Sequence, residues 1–374
     1  MTGPASPTPL GLPARARRGE GPRAGAARRP EEPRLIDTFG RVATDLRVSL
    51  TDRCNLRCTY CMPPEGLDWM TDDRVLSDDE LIRLITVAVE RLGVEEVRFT
   101  GGEPLLRKGL EAILAATTAL RTASGGVPQT ALTTNGLGLD RRAPGLVAAG
   151  LHRINVSLDT LDRARFVRIA HRDRLDDVLA GLRAAAEAGL SPVKVNTVLL
   201  RGVNDDEAAT LLRWAIGNGY ELRFIEQMPL DAQGAWDRAE MISATEILEL
   251  LQAEFTLVPT GAAVRGAAPA ETWIVDGVAG RTPSGAQARV GIVGSVTRPF
   301  CGDCDRTRLT ADGQVRTCLF SRTETDLRTL LRTGADDEQL AATWRTAMWG
   351  KLAGHDIDDP SFLQPDRPMS AIGG

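Results

Sequence analysis

The chain has 374 residues, 43% of them apolar, which suffices for at least one large core and for two or three folding units. Its formal charge is −5, and because residues 1–34 hold seven Arg against three Glu the remainder stands at −9, which excludes a general nucleic-acid binder. No apolar run approaches the roughly 18 residues of a membrane helix and no apolar secretory segment opens the sequence, so a cytoplasmic protein is expected.

Residues 1–34 contain 18 Ala, Gly or Pro and almost no large apolar side chain; burial cannot repay the entropy of ordering them, and a disordered arm is predicted. From Asp45 short β-like runs alternate with helical segments: Leu46–Leu50, Val97–Thr100, Ala131–Thr134, Ile154–Leu158, Val193–Val198 and Leu222–Glu226. Two of the helices mark their own starts, Ser77–Leu92 through the capping box of Ser77 and Glu80 and Asn204–Gly217 through Asn-Asp-Asp. Six βα units over residues 35–254 imply an α/β fold with a parallel sheet and right-handed crossovers. Residues 255–374 lose this rhythm and read as a smaller lobe, with β-like pieces at Thr272–Val275 and Arg289–Val293. A hairpin is predicted where Arg308–Thr310 and Gln314–Thr317 flank Ala311-Asp312-Gly313. Helices follow Thr325, Gly373-Gly374 reads as a frayed end, and Gly261–Gly280 gives no clear pattern.

A parallel strand covered by helices on both faces is nearly all apolar. Here Arg47/Ser49/Thr51, Arg98/Thr100, Asn155/Ser157/Asp159 and Lys194/Asn196 fall at period two on one face of four strands. Exposed edges account for one or two such strands, not four, so the sheet is predicted to curl into a partial (βα)6 barrel whose lumen takes a charged ligand. Lys194, amid β-branched neighbours, needs an anionic partner there. It is one of three lysines, with Lys108 and Lys351, among 45 basic residues.

Six cysteines in a cytosolic chain of this size point to metal binding rather than disulfides. Cys54, Cys58 and Cys61 follow the first strand with C-x₃-C-x₂-C spacing, which lets three thiolates on one loop share a four-iron cluster and leaves one iron open for chemistry. A three-cysteine zinc site or an inert buried set is the alternative. Cys301, Cys304 and Cys318 form a second trio without an adjacent fourth ligand, since His355 lies 37 residues past Cys318; a second open cluster is favoured over zinc. One βα unit after the first thiols, Thr100-Gly101-Gly102-Glu103-Pro104 lets backbone approach a ligand closely. No G-x-x-x-x-G-K-[ST] loop occurs, and Gly136-Leu137-Gly138 lacks the rest of a dinucleotide fingerprint.

The first cysteine spacing and the Gly-Gly-Glu-Pro segment resemble the radical S-adenosylmethionine superfamily. With the second trio, the chain from about Thr38 to Gly374 resembles the GTP 3′,8-cyclase family of molybdenum cofactor biosynthesis within it. The segments Leu46–Cys54, Arg98–Pro104, Thr133–Gly136, Ile154–Asp159, Val193–Val198, Arg223–Met228, Cys304–Arg308 and Gly373-Gly374 carry that likeness. The resemblance implies two catalytic 4Fe-4S clusters, one on Cys54, Cys58 and Cys61 and one on Cys301, Cys304 and Cys318. It implies S-adenosylmethionine contacts from Tyr60, Gly102, Ser157 and Met228, and GTP contacts from Arg47, Arg98, Thr133, Lys194, Arg306, Thr307 and Arg308, with Arg223 a weaker candidate. Taken singly, Tyr60 reads as packing, Met228 as core filler and each Arg as a solvated surface group. The resemblance further implies that Gly373-Gly374 reaches the active site, that the electron donor is of flavodoxin or ferredoxin type, that the chain is a homodimer and that cyclic pyranopterin monophosphate synthase acts downstream; neither nucleic acid nor membrane is a partner. Two readings compete: a radical enzyme that modifies a peptide, and a non-enzymatic iron–sulfur or zinc protein. The cationic set argues for a triphosphate against the first, and the Gly-Gly-Glu segment with the polar lumen argues against the second.

Overall fold

Six strands form where the period-two runs predict them: β1 (Asp45–Ser49), β2 (Glu96–Thr100), β3 (Gln129–Thr134), β4 (Arg153–Ser157), β5 (Val193–Val198) and β6 (Glu221–Ile225). All are parallel and each pairs with the next in the chain. This is a computed structural model, and it describes residues 29–277, 281–360 and 362–373; most of the predicted arm, residues 1–28, lies outside the described residues, as does Gly374. The helices between the strands are α1 (Asp78–Leu92), α2 (Leu110–Ala119), α3 (Leu139–Ala148), α4 (Arg163–Ala170), α5 (Leu175–Glu187) and α6 (Ala208–Gly217). Ser77 and Glu80 make the predicted reciprocal cap on α1, whose Leu81, Leu84, Ile85, Ala88 and Leu92 recur every three or four residues and are buried against the sheet. The matching outer face of the strands, Leu46, Val48, Val97, Phe99, Ile154, Val156, Val195, Leu222 and Phe224, is fully enclosed. The core therefore lies between sheet and helices, and the alternate, polar face is left to the lumen.

The later helices are α7 (Ala244–Gln252), α8 (Ala262–Arg265), α9 (Arg328–Arg332), α10 (Asp337–Trp349) and α11 (Met369–Ile372). The later strands are β7 (Leu257–Pro259), β8 (Glu271–Val275), β9 (Arg289–Val293), β10 (Arg306–Leu309), β11 (Gln314–Arg316) and β12 (Thr325–Asp326). These strands widen the same sheet: β9 pairs in parallel with β6 and β10 with β1, giving the order β12-β11-β10-β1-β2-β3-β4-β5-β6-β9-β8-β7. Two antiparallel hairpins, β10–β11 and β8–β9, thus flank the six-unit barrel, the first being the one expected around Ala311-Asp312-Gly313. Within Gly261–Gly280 the structure places α8 and β8, while residues 278–280 lie outside the described residues. Among the described residues no helix is long and apolar enough to cross a membrane.

A second, smaller apolar cluster of Leu230, Met241, Val296, Phe320, Ile357 and Ile372 fastens α11 to the C-terminal part of the chain. The junction beside it is organised by Glu226, whose buried carboxylate accepts the Ala244 N–H at 2.6 Å, the Val296 N–H at 2.7 Å and the Thr297 N–H at 2.9 Å. One side chain thereby binds the end of β6, the start of α7 and the segment leaving β9. Glu226→Ala leaves three amides without their acceptor, and at about 1 kcal/mol or more each a loss of at least ~3 kcal/mol is expected. Urea unfolding should show a lower midpoint at unchanged slope; an unmoved midpoint would remove Glu226 from this role.

Candidate active site

The first cysteine loop leaves the C-terminal end of β1 and is built against α4, with the Arg57 and Thr59 N–H groups donating to the Ala170 and Ile169 carbonyls at 3.0 Å each. The Gly-Gly-Glu-Pro segment packs directly beneath it: the Gly102 N–H donates to the Thr51 carbonyl at 2.7 Å and the Glu103 N–H to the Arg53 carbonyl at 2.8 Å. A Cβ on Gly102 would stand 2.4 Å from the Asp52 and Arg53 carbonyl oxygens, and one on Gly101, at φ 142°, 2.4 Å from that of Thr51. Both positions are closed to other side chains by this contact between two backbones. Glu103 is wholly buried and accepts from the Leu105 N–H at 2.9 Å, the Thr134 hydroxyl at 2.7 Å and the Asn135 N–H at 2.7 Å, tying the loops after β2 and β3 together. Burial pushes its carboxyl up to about 7 against those donors. Tyr60 reaches across to the loop after β4, its hydroxyl donating to Asp159 at 2.7 Å, and Asp159 in turn accepts the Val198 N–H at 2.8 Å.

Burial pushes all three thiols up, reinforced by Glu103 at Cys54, by Asp159, Cys61 and Cys54 at Cys58, and by Cys54 at Cys61, which reaches about 12. Such thiols are poor free nucleophiles at neutral pH and become thiolates only when a cation claims them. Three buried thiols on one loop, with Cys58 and Cys61 each feeling the charge of Cys54, are a donor set that suits an iron–sulfur cluster.

The lumen is lined by cations in register. Arg308, Arg47 and Arg98 lie side by side on β10, β1 and β2, and the row continues through Ala131 to Arg153. The next rows run Thr133, Asn155, Lys194, Glu221 and Ser157, Asn196, Arg223. Asn155 donates to the Thr133 hydroxyl at 3.3 Å. The counter-charges are Asp45, 3.1 Å from Arg47 and 3.6 Å from Arg306; Glu96, 2.7 Å from both Arg98 and Arg153; and Glu221, 3.0 Å from Lys194. Burial and then the neighbouring arginines press Arg98, Arg306 and Arg308 down, and burial followed by Arg223 lowers Lys194 to about 8. Burial would raise Asp45, but Arg47, Arg98 and Arg306 hold it at about 2. The Nε atoms of Arg47, Arg98, Arg153 and Arg306 are buried without a hydrogen-bond partner, an unmet demand that an anion fills. Toward the β9 edge a cavity of about 170 Å³ joins Lys194 and Arg223 to Arg265 and Arg289.

Cys301 and Cys304 of the second trio sit on the chain that passes from β9 to β10, and Cys318 follows β11. Cys301, Cys304 and Cys318 line one cavity together with Arg306, Arg308 and Met228. Phe300 covers the Arg306 guanidinium at 4.8 Å. Burial and the other two thiols push Cys301 up to about 11, whereas Cys304 is lowered because Lys351 and Arg306 outweigh its burial. Since Asp45 is level with Arg306, this trio and the first one stand at opposite ends of the paired strands β1 and β10. About 13 Å of strand separates those ends. The tail lies between: the Ser370 N–H donates to Cys61, the Ser49 hydroxyl to the Ile372 carbonyl at 2.8 Å, and Arg308 to the Gly373 carbonyl at 2.6 Å. Gly373 has φ 85°, and a Cβ there would meet Ser49 Oγ at 2.1 Å. The frayed end expected from sequence is thus an inserted one as far as Gly373.

Comparison with known proteins sets this geometry in a family. Residues 48–215 match the model of the radical SAM superfamily and residues 220–357 that of Molybdenum Cofactor Synthesis C. A GTP 3′,8-cyclase of Streptomyces coelicolor is 63% identical over 340 residues, covering 91% of this chain and 96% of its own. The chain belongs to the GTP 3′,8-cyclase family. The Mycolicibacterium smegmatis GTP 3′,8-cyclase is 59% identical over 98% of this chain and 99% of its own. Streptococcus suis SuiB bound to S-adenosylmethionine superposes with a TM-score of 0.55 at 14% identity, over 88% of this chain and 77% of its own, and shares the fold.

One expected GTP contact is turned away in this family member. Thr307 alternates out of the lumen, is fully buried under α10 and accepts from Trp344 Nε1 at 2.9 Å, so its side chain serves the helical layer. Asp45 and Arg153 join the lumen although sequence reading passed over them; both occupy the first residue of a strand, at the same period-two positions as Arg47 and Asn155. Asp159 and Lys351 were legible only as a polar alternation and as a rare lysine. Lys194 carries its charge below about pH 8 and loses it above, so GTP affinity should fall as pH rises through that value. Equilibrium dialysis under anaerobic conditions should show the decline, and Lys194→Met should weaken binding and flatten it; an identical pH profile in the variant would clear Lys194.

Proposed function

We propose that the chain converts GTP and S-adenosylmethionine to 3′,8-cyclo-7,8-dihydro-GTP, methionine and 5′-deoxyadenosine, the first step of molybdenum cofactor biosynthesis. The observation that carries this reading is the buried cationic lumen between two thiol trios in a member of the GTP 3′,8-cyclase family. Cys54, Cys58 and Cys61 hold one 4Fe-4S cluster, and Cys301, Cys304 and Cys318 hold a second. When bound with S-adenosylmethionine, the first supplies reductive cleavage of the sulfonium bond and with it hydrogen abstraction at ribose C3′.

The protein's own contribution is placement. Tyr60, locked by Asp159, Gly102, pressed against the cysteine loop, and Ser157 at the end of β4 line the S-adenosylmethionine site with Met228, which packs against the apolar cluster containing Ile372. Arg47, Arg98, Lys194, Arg306 and Arg308 take the triphosphate, with Thr133 and Arg223 beside them, so that charge and shape fix the ribose and guanine for closure between C3′ and C8. The helical layer outside and the tail inside keep water from the reactive carbon. An electron donor of flavodoxin or ferredoxin type, a cytoplasmic homodimer and hand-over to cyclic pyranopterin monophosphate synthase accompany this activity.

Anaerobic reconstitution with iron and sulfide, reduction, and addition of S-adenosylmethionine with and without GTP test the proposal. GTP-dependent 5′-deoxyadenosine and a cyclised nucleotide by mass spectrometry are expected. Cys318→Ala should abolish cyclisation while leaving the iron of the first trio in place. Formation of 5′-deoxyadenosine that ignores GTP would overturn the substrate, and none from a fully loaded sample would overturn the activity.

A further inference from the structure

Lys351, which follows α10, is the residue of the second site that the proposed chemistry leaves unused. It is only 4% exposed, and its ammonium donates to Cys304 Sγ at 3.3 Å, to the Cys304 carbonyl at 3.0 Å and to the Arg306 carbonyl at 2.9 Å. Those three acceptors use all three of its donors. No ion pair between Lys351 and a carboxylate occurs among the described residues. A buried ammonium without a carboxylate is costly, and here the one acceptor able to bring negative charge is the Cys304 sulfur. The first trio is supported differently, by the neutral amide of Asn135, 3.8 Å from Cys54 Sγ.

We infer that Lys351 is a positioning residue for the second cluster, its ammonium pinning the Cys304 thiolate to the start of β10 and raising that cluster's reduction potential. The inference rests on the reading that the second trio holds a cluster. Reduction adds an electron to a centre already ringed by thiolates, and a hydrogen-bonded cation beside one of them favours the reduced state. The two carbonyl bonds fix where the cation stands. The hydrogen bond to sulfur fixes how strongly it acts.

The test is a potentiometric titration of the reconstituted full chain, followed by electron paramagnetic resonance, comparing wild type with Lys351→Met, Lys351→Gln and Lys351→Arg. The second cluster should shift to a more negative potential in the Met and Gln variants and stay close to wild type in the Arg variant, while the first cluster, within the same molecule, is unmoved. Lys351→Gln keeps a donor for the carbonyls, so it reads the charge even where Lys351→Met fails to fold. An unchanged potential in a loaded Gln variant overturns the inference. Because the chain has three lysines, ¹⁵N-lysine labelling of the wild type gives a readout free of substitutions: a nitrogen coupling to the reduced second cluster supports the contact, and its absence overturns it. A wild-type chain that loads only the first cluster would overturn the cluster reading itself, an outcome distinct from loaded clusters with equal potentials.

Discussion

A block of cations enclosed in a barrel is the constraint on which the rest of this molecule depends. The parallel register of β10, β1 and β2 sets Arg308, Arg47 and Arg98 abreast, so each guanidinium is desolvated and faces another of like charge. Three carboxylates offset part of this repulsion, and the Nε atoms of Arg47, Arg98 and Arg153, buried without a hydrogen-bond partner, mark the part they leave. The arrangement is a standing cost to the folded chain. A bound polyanion removes it, and mass action then makes ligand binding and stability one quantity. What compensates in the meantime is the outer layer, where the whole alternate face of the same strands is buried against helices. The barrel is stable because of one face of each strand and useful because of the other.

The first cysteine loop and the Gly-Gly-Glu-Pro segment form one physical unit. Gly101 and Gly102 are glycines because the carbonyls of Thr51, Asp52 and Arg53 occupy the space a side chain would need. The sequence suggests that these glycines free backbone for a ligand; the structure adds that they first admit the cysteine loop. Glu103 and Asp159 extend the unit sideways, each a buried carboxylate whose acceptors are filled by groups from neighbouring loops. Loops at the mouth of a barrel are its most mobile parts by default. Here four consecutive loops are cross-linked by polar contacts that exclude water, and a cluster seated among them inherits a fixed frame.

Legibility in the sequence followed the range of the interaction that decides each feature. Period-two alternation is local, and it located all six barrel strands to within two residues at either end. It lost Asp45 and Arg153 because a charged first residue looks like the loop before it. Cysteine spacing is local too, and both trios were read from it. The pairing of β9 with β6 and of β10 with β1 is not local: short strands far along the chain carry no mark of the edge they will join. Thr307 was misdirected for the same reason, since only the pairing with β1 settles which face of β10 turns inward. Lys351 shows the limit most plainly. Its rarity was visible, but its acceptors lie 45 and 47 residues away in the sequence.

The edge pairing has a consequence for how the protein is made. A chain emerging from the ribosome completes β1 through β6 long before β9 and β10 exist, so the half-built barrel shows two open strand edges to the cell. Unpaired edges recruit strands from other chains. The barrel is shielded only after residue 309 has been synthesised, and the lumen is filled only when the last described residues follow the Ser49 and Arg308 contacts inward. A chain that stops before β10 therefore leaves the β1 edge of the barrel open, a sticky fragment instead of a partly active enzyme, and quality control must judge this protein by strands made late in its synthesis.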